Sequence, residues 1–297
     1  MIIFYKLITV KKYFEIIICF FCFLFVTYSC LLLTIKPLGE IINININPIA
    51  INILGFPIYW YGIMYLVGFF CVYWLSLIKI SHSKKTYITK DKIENLLYWG
   101  MLGAIIGGRL GYVVIYRPDY FSRHLIEILY IRNGGMSFHG GLIGVLISIY
   151  TYAKIQKIPF LELTDFIAPS IPVALAAGRI GNFINGELWG YQTKLPWGII
   201  FHNDVEQIPR HPSQIYEFLL EGVLLFIIMQ VFSNKKTRPK GQVSAMFLIF
   251  YGLTRFFAEF WREPDYFIIN TTQLLTLGQT LSIPMIVLGI AILLTNR

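Results

Sequence analysis

The sequence predicts an all-α, polytopic integral membrane protein, with seven transmembrane helices in one domain and an additional helix ahead of them. Three observations carry this expectation. Of the 297 residues, 56% are hydrophobic and only 14% are charged, whereas a soluble domain has roughly 45–50% apolar and about 25% charged residues. The aromatic share is 16%, rich in Tyr and Trp, residues that favour the lipid–water boundary because one end is apolar and the other seeks a hydrogen bond. Finally, apolar runs recur at or near the roughly 20 residues that a helix needs to cross a bilayer.

The first run, 16–35, is free of charge and follows Lys6, Lys11 and Lys12. A secretory signal is the competing reading, but the apolar region is longer than a signal core and has no clear small-residue cleavage site, so a retained anchor is expected. Further spans are expected near 58–78, 93–115, 140–152, 166–177, 215–232, 243–260 and 283–294. The fourth and fifth of the eight are short and should extend into flanking polar sequence or tilt. Residues 1–45 read as an N-terminal extension and 46–297 as the membrane domain.

Charge sets the orientation. With a cytoplasmic N-terminus, the lysine clusters at 6–12, 79–92, 154–157 and 235–240, and Arg297, all fall inside, as the positive-inside rule requires. The outer loops then hold 117–132, 178–214 and 261–265, which are richer in arginine, acids and Trp. The net charge of +9 is accounted for by these orientation signals. No aromatic-basic surface motif points to nucleic acid. Cys19, Cys22, Cys30 and Cys71 sit in apolar segments and read as small hydrophobes. The C-x-x-C at 19–22 lacks a second pair or a nearby His, so neither a metal site nor a disulfide framework is implied.

Polar groups inside an apolar chain are site candidates, because in lipid they are costly unless they face protein or water. WYGIMY at 60–65 carries Tyr61. LGAIIGGRLGY at 102–112 places Gly103, Gly107 and Gly111 four apart, a helix face on which backbones can approach closely. Arg109 lies about 200° round from Gly107 and points away from that seam, either as a site residue or as a snorkelling arginine. GGMSFHGGLIG at 134–144 sets His139 among glycines at the start of a span. A lone histidine in such a setting is usually structural. Here the glycines admit a close neighbour and the imidazole titrates near neutral pH, so His139 is a catalytic candidate.

GRIGNFINGELWG at 178–190 gathers Arg179, Asn182, Asn185, Glu187 and Gly190. In YGLTRFFAEFWREPD at 251–265, Tyr251, Arg255, Glu259 and Arg262 are spaced to share one helical stripe, on which Glu259 could hold both arginines. A self-neutralising surface ladder is the plainer reading. One glutamate against two arginines leaves positive charge over, and with Arg179 this suggests an anion pocket, most plausibly for phosphate.

These blocks, with HGGLIG, LTDFIAPSIP at 163–172, PRHPSQIYE at 209–217 and GQTLSIPM at 278–285, resemble the bacterial prolipoprotein diacylglyceryl transferases, in order, from about Gly55 to the end. The resemblance implies transfer of the diacylglyceryl group of phosphatidylglycerol to the lipobox cysteine thiol of a preprolipoprotein, forming a thioether and releasing glycerol phosphate. It implies that Arg179 binds phosphatidylglycerol. The chemistry asks for a thiolate, a stabilised phosphate leaving group and a cavity open to lipid. Since a free thiol has a pKa of about 8.5, a base or a positive field must assist. His139 is the expected base or thiol-orienting group, with Tyr61 as its hydrogen-bonding neighbour. Arg179 and Arg255 are expected to hold the phosphate as charge builds on it. Asn182, Asn185 and Glu187 would position those groups or the glycerol hydroxyls, Gly190 would serve backbone shape, and Glu259 and Arg262 would support the rest.

No cofactor is required, and the histidines at 82, 124, 139, 202 and 211 have no metal-ligand spacing. His211, within PRHPSQ, reads as a loop-fixing residue. The chain departs from the family pattern in its N-terminal extension and in Tyr59, where relatives often have a basic residue. The expected location is the cell (inner or plasma) membrane with the active site near the outer face; abundant Ile, Asn and Lys also admit an organellar or endosymbiont membrane. A transporter would show paired repeats and midplane carboxylates. A scaffold would not need these arginines and a histidine, an acyltransferase would need an acid soon after its histidine, and a metal-dependent phospholipid synthase would need an aspartate cluster.

Overall fold

The computed structural model describes residues 42–44, 46–82, 88–131, 134–234, 238–264 and 275–296. The expected N-terminal span at 16–35 lies outside them. The chain divides into two compact units, Met1–Ile78 with Asp165–Arg297, and Lys79–Thr164.

The first unit begins with strand β1 (Ile42–Ile44) and a hairpin of β2 (Ile49–Ile53) and β3 (Phe56–Tyr59). These short strands depart from the all-α expectation. The hairpin turns at Leu54 and Gly55, both with positive φ, the conformation that matches strand twist in a tight turn. β1 pairs in parallel with β4 (Ile199–Phe201), a contact between segments more than 150 residues apart that local sequence could not announce.

The helix α1 (Trp60–His82) follows directly. Its Met64, Cys71 and Leu75 pack on Val173, Ala176, Ala177, Ile180 and Ile184. Cys71 is thus a buried small hydrophobe.

In the second unit, α2 (Lys90–Tyr116) is capped by Thr89, and α4 (Phe138–Ile155) by Ser137, whose hydroxyl accepts from Gly140 N at 3.2 Å. Between them come α3 (Pro118–Arg123) and a 3₁₀ turn at Leu125–Leu129. The glycine row is a packing seam. A Cβ on Gly111 would fall 2.7 Å from Gly140 Cα, and one on Gly107 2.8 Å from Gly144 Cα.

Downstream, α5 (Phe160–Ile167) runs through a 3₁₀ turn at Ala168–Ser170 into α6 (Ile171–Asn185). Then α7 (Ser213–Glu217) opens into a π-helical turn, Phe218–Leu224, and continues as α8 (Leu225–Ser233). The first unit closes with α9 (Gln242–Ala258) and α10 (Leu277–Thr295), the latter started by a capping box of Thr276 and Gln279. Asp165 fixes the start of α9, accepting from Gly241 N at 2.6 Å and from Ser244 N and Oγ at 2.7 Å.

Among the described residues six helices are long and apolar enough to cross a membrane. The two short expected spans lengthen, 140–152 to Phe138–Ile155 and 166–177 to Phe160–Asn185. The expected span at 243–260 is a 17-residue helix, shorter than the other crossings. Large apolar side chains such as Leu66 and Phe70 on α1 and Ile106 and Leu110 on α2 are exposed, as surfaces that meet lipid tails must be.

Candidate functional site

In the first unit, α6 ends where Gly186 takes a left-handed conformation (φ 63°) and its N–H caps the carbonyls of Asn182 and Phe183. The last two turns of α6 therefore present Arg179, Asn182 and Asn185 just before the chain turns. Glu187 folds back: its backbone N–H bonds Asn182 O at 3.1 Å, and its Oε1 accepts from Asn182 Nδ2 at 2.8 Å and Asn185 Nδ2 at 3.5 Å. Gln214 Nε2 holds the Glu187 carbonyl at 2.7 Å. Tyr61 joins the group through Asn182, its ring lying on Gly181 and its hydroxyl 2.9 Å from that of Tyr65.

Arg179 reaches two carboxylates that the sequence reading passed over. Its Nε and Nη2 donate to Glu221 Oε2 at 3.1 and 2.8 Å, and its Nη1 lies 3.0 Å from Glu217 Oε2, off the hydrogen-bonding direction. Arg255 bridges Glu217, Glu221 and Glu259, and Arg262 Nη1 donates to Glu217 Oε1 at 3.2 Å. Glu259 Oε2 accepts from Thr276 Oγ1 at 2.8 Å. The π-helical turn sets this up. Gly222 lets it approach α6 so closely that a Cβ there would stand 2.6 Å from Ala176 Cβ. Such wide turns are frequent at functional sites.

Two expectations are corrected here. The cluster is not net positive: Arg179, Arg255 and Arg262 face Glu217, Glu221 and Glu259, three against three. Nor does Arg262 continue the helical stripe of Arg255, because α9 stops at Ala258. Arg262 instead sits in a β-bridge opposite Gly190 and arrives at Glu217 by that route.

Charge neutrality does not make the cluster featureless. The side chains of Glu217 and Glu221 are 0% exposed, whereas those of Arg179 and Arg255 keep 15% and 14%. The carboxylates are the more deeply buried partners, and what accessibility these pairs keep lies on the arginine side chains. The signal was in the sequence: QIYEFLLEG places two glutamates four apart inside an apolar span, where any charge marks a site.

The loop beyond Glu187 is bound to the end of α9. Gly190 N donates to His211 O at 2.8 Å, Tyr191 N to Trp261 O at 3.1 Å and Glu263 N to Trp189 O at 3.2 Å. A Cβ on Gly190 would lie 2.7 Å from His211 Cβ and closer still to Trp261 O, so only glycine fits between these strands. Arg210 pairs with Asp204 and Glu206 at 2.6 Å, and with Glu263, over the face of Trp189. The hydrogen bonds from Arg210 hold the Asp204 carboxyl below its ordinary range. Burial pushes the His211 imidazole down, and its Nδ1 lies 3.0 Å from the Tyr216 hydroxyl, a loop-fixing contact.

His139 belongs to the second unit. It is the second residue of α4, half-buried, with its ring edge-on to Phe138, and among the described residues of that unit its side chain makes no hydrogen bond or ion pair. Arg109 does not snorkel. It is 6% exposed and its guanidinium is engaged by main-chain carbonyls of the segment before His139.

Residues 48–295 match the family model described as prolipoprotein diacylglyceryl transferase. The chain belongs to that family. A phosphatidylglycerol--prolipoprotein diacylglyceryl transferase of Cupriavidus metallidurans is 50% identical over 252 residues, 84% of this chain and 93% of the relative. The proteins of that name from Methylobacillus flagellatus and Bordetella parapertussis are 47% identical (86% of this chain, 98% of theirs) and 49% identical (82% and 93%). In this prolipoprotein diacylglyceryl transferase the match spans Tyr61, His139, the 178–190 stretch and the cluster around Arg255.

Proposed function

We propose that this chain is a phosphatidylglycerol–prolipoprotein diacylglyceryl transferase, its catalytic domain at 46–297. It moves the diacylglyceryl group onto the lipobox cysteine thiol in a preprolipoprotein signal peptide, the first step of lipoprotein maturation. The sulfur bonds to the glyceryl carbon that bears the phosphate, the carbon–oxygen bond breaks, and its electron pair leaves on the phosphate of glycerol phosphate. The observation that carries this reading is the arrangement of Arg179 and Arg255, two guanidinium groups gathered by the same pair of fully buried carboxylates, Glu217 and Glu221.

Arg179 and Arg255 hold the lipid phosphate and offset the charge that accumulates on it as the bond breaks. The carboxylates behind them keep both guanidinium planes aimed before substrate arrives, so little reorganisation is needed at the moment of reaction. Arg262 and Glu259 fix Arg255 and Glu217 in turn. Asn182, Asn185 and Glu187, tied to one another and to Tyr61, position the head-group hydroxyls. His139 takes the thiol proton. The enzyme is a multi-pass protein of the cell inner membrane with its site near the outer face, a placement supported by the lysine clusters that separate from the arginine- and acid-rich loops.

The test uses purified full-length protein with phosphatidylglycerol and a lipobox peptide. A mass gain on the cysteine equal to one diacylglyceryl group, dependent on phosphatidylglycerol, is the expected result. Release of free fatty acid, or transfer without phosphatidylglycerol, overturns the reading.

A further inference from the structure

We propose that Arg109 is a positioning residue for the transfer reaction, acting on His139 through the main chain; this rests on the role given to His139 above. Arg109 lies in the apolar helix α2, with its guanidinium buried at the segment that leads into α4. Nε donates to Ile128 O at 2.8 Å. Nη1 donates to Gly134 O at 2.6 Å and Gly135 O at 3.1 Å, and Nη2 to Glu127 O at 2.6 Å and Tyr130 O at 3.3 Å. The guanidinium carbon also stands 5.2 Å from the Phe121 ring centroid and 6.0 Å from that of Tyr112.

Each of these hydrogen-bond partners is a backbone carbonyl, and that choice has a physical consequence. A carboxylate partner would neutralise the charge and leave the backbone free. Five carbonyls instead tie the end of a 3₁₀ turn, 127–130, and the loop residues 134–135 to one rigid plane. Irregular backbone at a membrane needs donors that lipid cannot give, and only a planar guanidinium offers five in a fixed fork; a lysine ammonium has three on a flexible stem.

The tethered segment runs straight into the catalytic candidate. Two residues after Gly135, Ser137 N bonds Gly108 O at 2.8 Å, beside Arg109, and the Ser137 hydroxyl caps the first turn of α4, where His139 stands. Gly135, at φ 81°, lies against the Tyr112 ring, which any Cβ would strike. The start of α4 is therefore held from both sides, by its glycine seam with α2 and by the loop that Arg109 organises. Misplacement of a base by tenths of an ångström lowers turnover without weakening lipid binding.

A double-mutant cycle tests this on the full-length enzyme, with kcat and KM for phosphatidylglycerol measured for Arg109→Lys, His139→Gln and the pair. Arg109→Lys is expected to lower kcat about tenfold, with KM for phosphatidylglycerol within about twofold. In the His139→Gln background it should change the residual rate by less than about twofold, because the group it positions is already gone. Effects that multiply in the double variant, with His139→Gln alone strongly impaired, overturn the proposal and leave the role of His139 standing. Full turnover by His139→Gln alone overturns the role of His139 and this proposal with it. Should Arg109→Lys fail to fold, Phe121→Leu removes the ring beside the guanidinium while keeping the arginine and its carbonyl partners, and the same cycle decides.

Discussion

The two units bury arginine in opposite ways. In the first, Arg179, Arg255 and Arg262 lean on Glu217, Glu221 and Glu259, side chain against side chain. In the second, Arg109 leans on main-chain carbonyls. The carboxylate-paired arginines compensate their charge with more deeply buried side chains and keep some exposure of their own, which suits a site that receives and releases an anion. The carbonyl-backed arginine has spent its donors on the chain itself, which suits a strut. The identity of the partner, rather than the presence of an arginine in an apolar helix, separates binding from positioning.

Four changes sharpen or break this contrast. Glu217→Gln should have the largest effect, because removing one partner of a buried ion pair costs about 3–5 kcal/mol, and this carboxylate serves all three arginines. Both the melting temperature in detergent and transfer should fall steeply; a stable, active Glu217→Gln enzyme would break the comparison. Next, Arg179→Ala should reduce transfer about a hundredfold or more, equivalent to roughly 2.7 kcal/mol in the transition state. Glu217 retains Arg255 and Arg262 but Glu221 keeps only the longer Arg255 contact, so the melting temperature should fall as well; activity should be lost beyond that fall, and a loss accounted for by unfolding alone would make Arg179 a strut like Arg109.

Third, Gly111→Ala should cost about 1–3 kcal/mol through overpacking, since its Cβ would lie 2.7 Å from Gly140 Cα. Thermal unfolding reads this, and an unchanged melting temperature would show the seam to be loose. The smallest effect is expected at Asp204. Its folded pKa is depressed by the hydrogen bonds from Arg210, so its contribution is present above the unfolded value and is lost as pH falls through the folded one, below about pH 4. Asp204→Asn should lower stability at pH 7 slightly and flatten the acid limb of a pH–stability profile; a parallel profile would place the acid sensitivity elsewhere.

Much of the site was legible in the chain because charge inside an apolar run is conspicuous. Arg179, Glu187, Arg255 and Glu259 stand out by that criterion, Asn182 stands out as a polar residue beside them, and all five lie in the first unit. Glu217 and Glu221 satisfy the same criterion inside the 215–232 span, and leaving them out of the count gives the cluster a positive charge that it does not have. The end of α9 at Ala258 was not legible, since the spacing of Arg255, Glu259 and Arg262 fits a longer helix equally well. What stops that helix is the pairing of 261–263 with 189–191, a contact made by residues about 70 positions away.

Composition and apolar runs determined that this chain spans a membrane and roughly where six of its crossings lie among the described residues, because those properties depend on neighbours along the chain and on the fixed thickness of a bilayer. Glycine spacing likewise determined the close seam between α2 and α4. Only the tertiary structure decided which partner each buried arginine takes, and so which binds and which braces. Hydrogen-bond partners are chosen by proximity in space, and neither the π-helical turn that carries Glu221 nor the carbonyls around Arg109 leave a mark in local sequence.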